Sequence, residues 1–224
     1  MGTFHHFKGY IMPVFTVEIN NKVVEFTHIP KCGGTSAKCM MLEASGFDWR
    51  NSPANDWGLP IGQRKHQKQN NKFMDQHGKG KFGNVDYRFT IIRDPIKRLV
   101  SCYTNRVLFY NKMRNRGWDN FVDKLGNYAA GDISHHSFPM TYWLGKDPNR
   151  YDKIFTVSQV GTDMREWLSE IANTNVPALQ RQDGGREKQS KIVITEDQIT
   201  RIKKYYKNDY ENWWNDKVVP QEFV

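Results

Sequence analysis

A short run near the start of the chain, PKCGGTS at residues 30–36, carries side chains suited to binding an anion. Its two adjacent glycines let the backbone turn tightly and approach a ligand. A helical pattern follows, and a helix N-terminus offers unpaired N–H donors to a phosphate. Lys31 would add a full charge, while Thr35 and Ser36 would add hydroxyl donors. An ordinary strand-to-helix turn with a surface lysine is equally compatible with this segment taken alone.

A second run, IIRDPIKRLVSCY at residues 91–103, places an arginine and a serine on one helical path. Arg93 follows an apolar, β-branched stretch, and ligands bind beyond the carboxyl ends of strands in open α/β sheets. Ser101 comes eight residues later, about two helical turns on. A guanidinium fork and a hydroxyl so placed could hold one phosphate, although an unrelated pair on an ordinary helix is also compatible. Arg98 is either a solvated helix cation or the partner of a nearby acid.

The elements that position these two runs alternate along the chain between strands and helices. A β-hairpin is predicted at the Asn20-Asn21 turn, and Pro95 suits the first turn of a helix. Thr195 is a predicted helix cap with two acids after it. This alternation predicts a single α/β domain over residues 1–224 with a mainly parallel sheet. The predicted strands are 14–19, 23–28, 87–92 and 153–157, and the predicted helices are 36–44, 96–110, 118–125, 161–171 and 195–214.

The composition excludes several classes of protein. With 38% hydrophobic and 25% charged residues, the 224-residue chain is neither disordered nor a membrane protein. Its net charge of +9 indicates an anionic partner without specifying which one. Three cysteines cannot all pair, and their spacing fits no metal pattern, so a reducing compartment and no metal are expected. No apolar stretch has the length of a membrane span, and a signal peptide is not recognisable.

The two runs, in this order, resemble the sulfotransferases that use 3'-phosphoadenosine 5'-phosphosulfate (PAPS). HIPKCGGTS and IIRDPIKRLVSCY are most similar to motifs of the carbohydrate branch, which includes the heparan-uronyl and chondroitin enzymes. The later stretches YDKIFTVSQVGTDMREWL and TEDQITRIKKYYKNDYENW also resemble that branch. The resemblance covers most of residues 23–214, and it is weak in 51–83 and 118–152. It implies a P-loop-like three-layer fold.

The same resemblance implies which residues bind the cofactor. Arg93 and Ser101 would bind the 3'-phosphate. The basic loop 181–191 could fold over the nucleotide, so that Arg186 or Lys188 reaches the same 3'-phosphate. A solvated loop is the other interpretation of that segment. Lys31 would neutralise the leaving phosphate oxygen, and Cys32 would be either an acidic, reactive thiol or a structural one. The residues implied at the 5'-phosphosulfate are Lys31, Cys32, Gly33, Gly34, Thr35 and Ser36.

A hydroxyl acceptor needs a general base, for which histidine has a suitable pKa. The stretch FMDQHG, ending at His77 and Gly78, resembles the segment that holds this base in the uronyl sulfotransferases, so His77 is the predicted base. His66 is the reserve, and His135 or His136 is a further alternative. His28 is expected to be a packed strand residue.

These inferences predict a PAPS-dependent sulfotransferase that acts on the hydroxyl of a saccharide or of another acceptor, either acidic or neutral. The predicted product of the donor is 3'-phosphoadenosine 5'-phosphate (PAP). Four aromatic residues could form a surface that stacks on sugar, although a buried core is the preferred interpretation of them: Tyr110, Trp118, Tyr142 and Trp143. One alternative is a kinase-like phosphotransferase, but its P-loop lysine would follow the glycines. Another is a basic nucleic-acid-binding module, although no recognised reading motif is present. The predicted location is the cytoplasm, with a lumenal catalytic domain that has lost its anchor as the alternative.

Overall fold

A four-stranded sheet organises the computed structural model, which describes residues 14–47, 84–178 and 192–219. Strand β1 (Val14–Ile19) pairs antiparallel with β2 (Lys22–Thr27). Asn20 and Asn21 between them have φ of 48° and 60°, the left-handed geometry of a tight hairpin turn. Strands β3 (Tyr87–Ile92) and β4 (Lys153–Thr156) then add in parallel, giving the order β1-β2-β3-β4.

Helices follow each parallel strand and cover the sheet. They are α1 Gly34–Ala44, α2 Pro95–Cys102, α3 Trp118–Asp123, α4 Asp132–Ser137, α5 Met140–Leu144, α6 Asp163–Ala172, α7 Glu196–Tyr205 and α8 Lys207–Asn212. Residues Tyr103–Phe109 continue α2 as a π-helix, and Pro148–Arg150 and Val157–Gly161 form 3-10 turns. Pro95 occupies the first turn of α2, which Asp94 caps by accepting from the Lys97 N–H at 2.7 Å.

The core lies on both faces of the sheet. Residues 89–92 of β3 are all buried, and neighbouring strand residues face opposite sides. The Phe89 ring stacks on Phe26 with centroids 4.9 Å apart and meets Trp167 of α6 edge-on at 5.3 Å. The predicted fold is therefore confirmed: a P-loop-like α/β architecture whose mainly parallel sheet is flanked by helices.

Two helices predicted as continuous are divided in the structure. The helix predicted over 96–110 changes from α to π geometry after Cys102. The helix predicted over 195–214 breaks at Tyr206, whose fully buried side chain donates its hydroxyl to the Ser137 carbonyl at 2.6 Å. A tertiary contact therefore overrides local helix propensity at that residue. The predicted cap is confirmed, because Thr195 Oγ1 accepts from the Gln198 N–H at 3.3 Å.

Candidate active site

The two runs singled out in the sequence lie side by side at one edge of the sheet. Because β2 and β3 are parallel neighbours, their carboxyl ends reach the same edge. There the Arg93 guanidinium donates from Nη1 to the backbone carbonyl of Lys31 at 3.4 Å. The structure thus brings Lys31 and Arg93 together across 62 residues of chain.

The loop between β2 and α1 has the backbone geometry of a tight turn. Lys31 and Gly33 have φ of 71° and 72°, and the Ala37 N–H donates to the Gly33 carbonyl at 3.1 Å to begin α1. Gly33 is the N-cap and no side chain caps the helix. The first-turn N–H groups of α1, which have no intrahelical acceptor, are therefore available to an anion.

Gly34 is required by its neighbour His28. A Cβ at position 34 would lie 2.0 Å from Cδ2 of the His28 ring, which is closer than atoms can approach. His28 is half-buried, and desolvation, followed by the positive charge of Lys38, holds the pKa of its ring well below the usual value. His28 therefore packs against the loop, in agreement with its predicted role as a packed residue.

Lys31 is largely withdrawn from water, and its Nζ donates to the side-chain carbonyl Oδ1 of Asn105 in the π-helix. Burial, followed by the positive charge of Arg106, lowers the pKa of Lys31 to about 8. The ammonium is therefore held beside the loop by Asn105. Its pKa lies close to neutral pH, so a small rise in pH would remove its charge.

Arg98 is a completely buried arginine that joins three segments of the chain. Its Nη1 donates to the carbonyls of Pro30 at 3.4 Å and His136 at 3.3 Å, and its Nη2 donates to the Phe138 carbonyl. The guanidinium also lies over the Tyr206 ring, 5.4 Å from the centroid. The interpretation of Arg98 as a solvated helix cation is wrong, because its partners are backbone carbonyls inside the protein.

His136 is held by hydrogen bonds from both ring nitrogens. Nδ1 lies 2.7 Å from the Asp132 carbonyl, and Nε2 contacts the Arg106 guanidinium. Since a guanidinium only donates, Nε2 accepts and Nδ1 carries the proton. Burial, followed by the Arg106 charge, lowers the pKa of His136 to about 2. Its lone pair is therefore already engaged by Arg106.

The thiol in the loop is structural rather than acidic. Cys32 is fully buried, and burial raises its pKa to about 12, so the prediction of a reactive thiolate is wrong. Nearby cations oppose that effect only in part. All three cysteines, Cys32, Cys39 and Cys102, are free and buried.

The remaining predicted site residues differ in their exposure. Thr35 is exposed, whereas Ser36 and Ser101 are half-buried in the first turn of α1 and the second turn of α2. His77, His66, Arg186 and Lys188 lie outside the described residues. Of the candidate sugar-stacking aromatic residues, Trp143 is core, Trp118 is half-buried, and Tyr110 and Tyr142 are 42% and 45% exposed.

Sequence reasoning missed the contribution of the π-helix. Asn105 contacts Lys31, and Arg106 reaches His136 and, through Nε at 3.5 Å, Asp132 Oδ1. A signal was present, because Asn105 follows Ser101 by four residues and therefore shares its helical face. The contacts of Arg106 with Asp132 and His136 could not be inferred, since both partners lie in residues 118–152, where the resemblance to the family is weak.

The described part of the chain contains neither a metal-binding cluster nor a membrane-spanning helix. In residues 14–47, 84–178 and 192–219, no group of three or more His, Cys, Asp or Glu side chains is arranged to hold a metal ion. Within the same ranges, no helix combines the length and apolar character needed to cross a membrane.

Comparison with known proteins identifies the family. No curated protein and no solved structure matches the chain. A family model described as "Sulfotransferase family" matches residues 14–213, which contain both runs at the sheet edge and the closing helices. The chain therefore belongs to the sulfotransferase family.

Proposed function

We propose that this sulfotransferase moves a sulfuryl group from PAPS to an acceptor hydroxyl, releasing PAP. The observation that carries the proposal is the contact between Arg93 and the Lys31 carbonyl, which joins the two anion-binding runs at one sheet edge. A donor with phosphates at both ends of its nucleoside requires two such sites near each other. Family membership removes the support for the kinase-like and nucleic-acid-binding alternatives.

The loop is proposed to bind the 5'-phosphosulfate. The uncapped N-terminus of α1 supplies N–H donors and a partial positive charge, and Thr35 and Ser36 add hydroxyls. Sulfuryl transfer breaks the bond between sulfur and the bridging phosphate oxygen, so negative charge develops on that oxygen. Lys31 would stabilise this charge, which makes it the proposed catalytic cation.

The 3'-phosphate is proposed to bind Arg93 and Ser101, with Arg186 as a further ligand. Arg93 suits the role because it is half-buried and its described hydrogen bond goes to a neutral carbonyl, which leaves its charge uncompensated by that partner. Burial lowers the pKa of Arg93 from its usual value, but a guanidinium stays charged throughout the working range.

His77 remains the proposed general base. Among the alternatives, His136 is disfavoured because Arg106 occupies its lone pair. His135 is half-buried against the Trp143 ring at 4.8 Å, and burial lowers its pKa.

Replacing His77 by Ala should lower kcat on the order of 100-fold or more, the usual contribution of a base, and leave PAP affinity unchanged. A near-normal rate would transfer the role to His66 or His135, whose Ala variants serve as the comparison.

The acceptor is proposed to be a saccharide hydroxyl, and an acidic polymer would suit the positive charge of the chain. The net charge of +9 exceeds what one nucleotide requires.

A cytoplasmic location is proposed, with a lumenal catalytic domain as the alternative, and the free cysteines favour a reducing compartment. Subcellular fractionation with an antibody would decide between the two locations, and sulfate incorporation into acidic and neutral glycans would test the acceptor.

Isothermal titration tests the donor directly. PAP should bind, and AMP, which lacks the 3'-phosphate, should bind far more weakly. Ser101→Ala should reduce the preference for PAP over AMP by roughly tenfold, about one charge-assisted hydrogen bond. Ser45→Ala is the matched control, since Ser45 follows the far end of α1. Equal affinity for PAP and AMP would contradict the proposal.

A further inference from the structure

The π-helix at Tyr103–Phe109 presents a polar side chain to the loop between β2 and α1, residues 28–33, which is called the cofactor loop below. Its geometry is visible in the bond from the Tyr110 N–H to the Asn105 carbonyl, which spans five residues at 3.0 Å. Such segments widen a helix locally and often occur at functional sites. Here the side-chain oxygen of Asn105 accepts a hydrogen bond from Lys31 Nζ, 74 residues earlier in the chain.

Asn105 gives Lys31 a neutral hydrogen-bond acceptor, whereas Arg93 and Arg106 nearby are positively charged. These positive charges oppose the ammonium, and burial removes its water. A carboxylate in this place would form an ion pair and cancel the charge, but an amide oxygen stabilises the ammonium without cancelling it. The titratable or charged groups that act on Lys31 or are acted on by it are Arg93, Arg106, Asp132, Cys102, His28 and His136.

We propose that Asn105 is a positioning residue that holds the charged Lys31 ammonium beside the cofactor loop and leaves its charge available to the donor. The inference deepens the proposed function, on which it rests for the role of Lys31 toward the leaving oxygen. Two properties are required of Asn105: its oxygen orients Nζ, and its neutrality preserves the charge. Variants can separate these properties.

Competitive acylation of the lysines over a pH series, read by peptide mass spectrometry, measures the Lys31 titration without any activity assay. The wild-type midpoint should lie near 8. Asn105→Asp should raise it by about one pH unit or more, because an opposite charge favours the ammonium, and Asn105→Leu should lower it. Asn149→Asp is the control, because exposed Asn149 precedes the amino end of β4 at the opposite edge of the sheet. An unmoved Lys31 midpoint in both Asn105 variants would overturn the inference.

Kinetics give the second readout. Asn105→Leu should lower kcat by on the order of 10- to 100-fold, the cost of misplacing a catalytic group, while PAP affinity changes less than threefold. Asn105→Asp should keep its rate to higher pH than the wild type, because the Lys31 ammonium is lost only at higher pH. Rates and pH profiles equal to the wild type in both variants would also overturn it. Absence of PAP binding by the wild type would instead refute the proposed function, so the two failures are distinguishable.

Discussion

A lysine and an arginine lie at each end of the strand pair β2 and β3, but the two ends differ in the exposure of these cations and in their partners. At the amino ends, Lys22 pairs with Asp86 at 3.4 Å and Arg88 pairs with Glu25 at 3.3 Å, and both cations are about half exposed. At the carboxyl ends, Lys31 and Arg93 are half-buried, and their described hydrogen bonds go to an amide oxygen and a backbone carbonyl. A lysine and an arginine thus occur at each end, with acidic partners at one and neutral partners at the other.

The difference supports the proposed placement of the anion site at the carboxyl ends. Exposed ion pairs contribute little and are already electrically satisfied. Buried cations with neutral acceptors retain a positive potential that a phosphate could complete, at a cost in desolvation that the fold must offset elsewhere. Matched substitutions at the two ends test this contrast.

The largest difference is expected between the two lysines. Lys31→Ala should reduce kcat by on the order of 100- to 1,000-fold, the usual effect of removing a group that stabilises transition-state charge. Lys22→Ala should leave kcat within about twofold, because an exposed pair contributes little. Turnover of PAPS at saturating acceptor measures both. Similar losses from the two substitutions would remove the basis for the contrast.

The two arginines should differ by a smaller factor, in nucleotide affinity. Arg93→Ala is expected to weaken PAP binding by roughly 30-fold, or about 2 kcal/mol for charged hydrogen bonds. Arg88→Ala, near the amino end of the strand that Arg93 follows, should have no measurable effect on titration with PAP. If Arg93→Ala bound PAP as tightly as the wild type, the 3'-phosphate would have to be assigned to other residues.

The smallest expected effect concerns packing at the loop. Gly34→Ala would force a methyl group into the half-buried His28 ring, and such overpacking costs about 1–3 kcal/mol. Gly161→Ala is the control, since nothing lies within 4 Å of a Cβ added there. Thermal unfolding should show a Tm several degrees lower for Gly34→Ala alone. Equal melting temperatures would mean that the loop edge is looser than its contacts indicate.

Local patterns in the sequence were sufficient to predict the strands and the loop between β2 and α1. The strands 14–19 and 87–92 have the predicted bounds, because short apolar runs flanked by turn residues are local signals. The burial of Arg98 was beyond such reasoning, since its acceptors are carbonyls at Pro30, His136 and Phe138. For the same reason, neither the break at Tyr206 nor the contact of Asn105 with Lys31 was predicted. Each depends on a segment distant in sequence.

The bonds of Arg98 have a consequence for the order in which the molecule folds. The β1–β2 hairpin joins neighbouring residues and can form early, whereas Arg98 bridges carbonyls 68 and 40 residues away. We therefore expect the hairpin amides to gain protection first in pulse-labelled hydrogen exchange and the α2 amides to follow. The edge proposed to bind the donor would then be among the last regions to take its native shape, so the proposed function predicts that a nascent chain acquires its PAP affinity only near the end of folding.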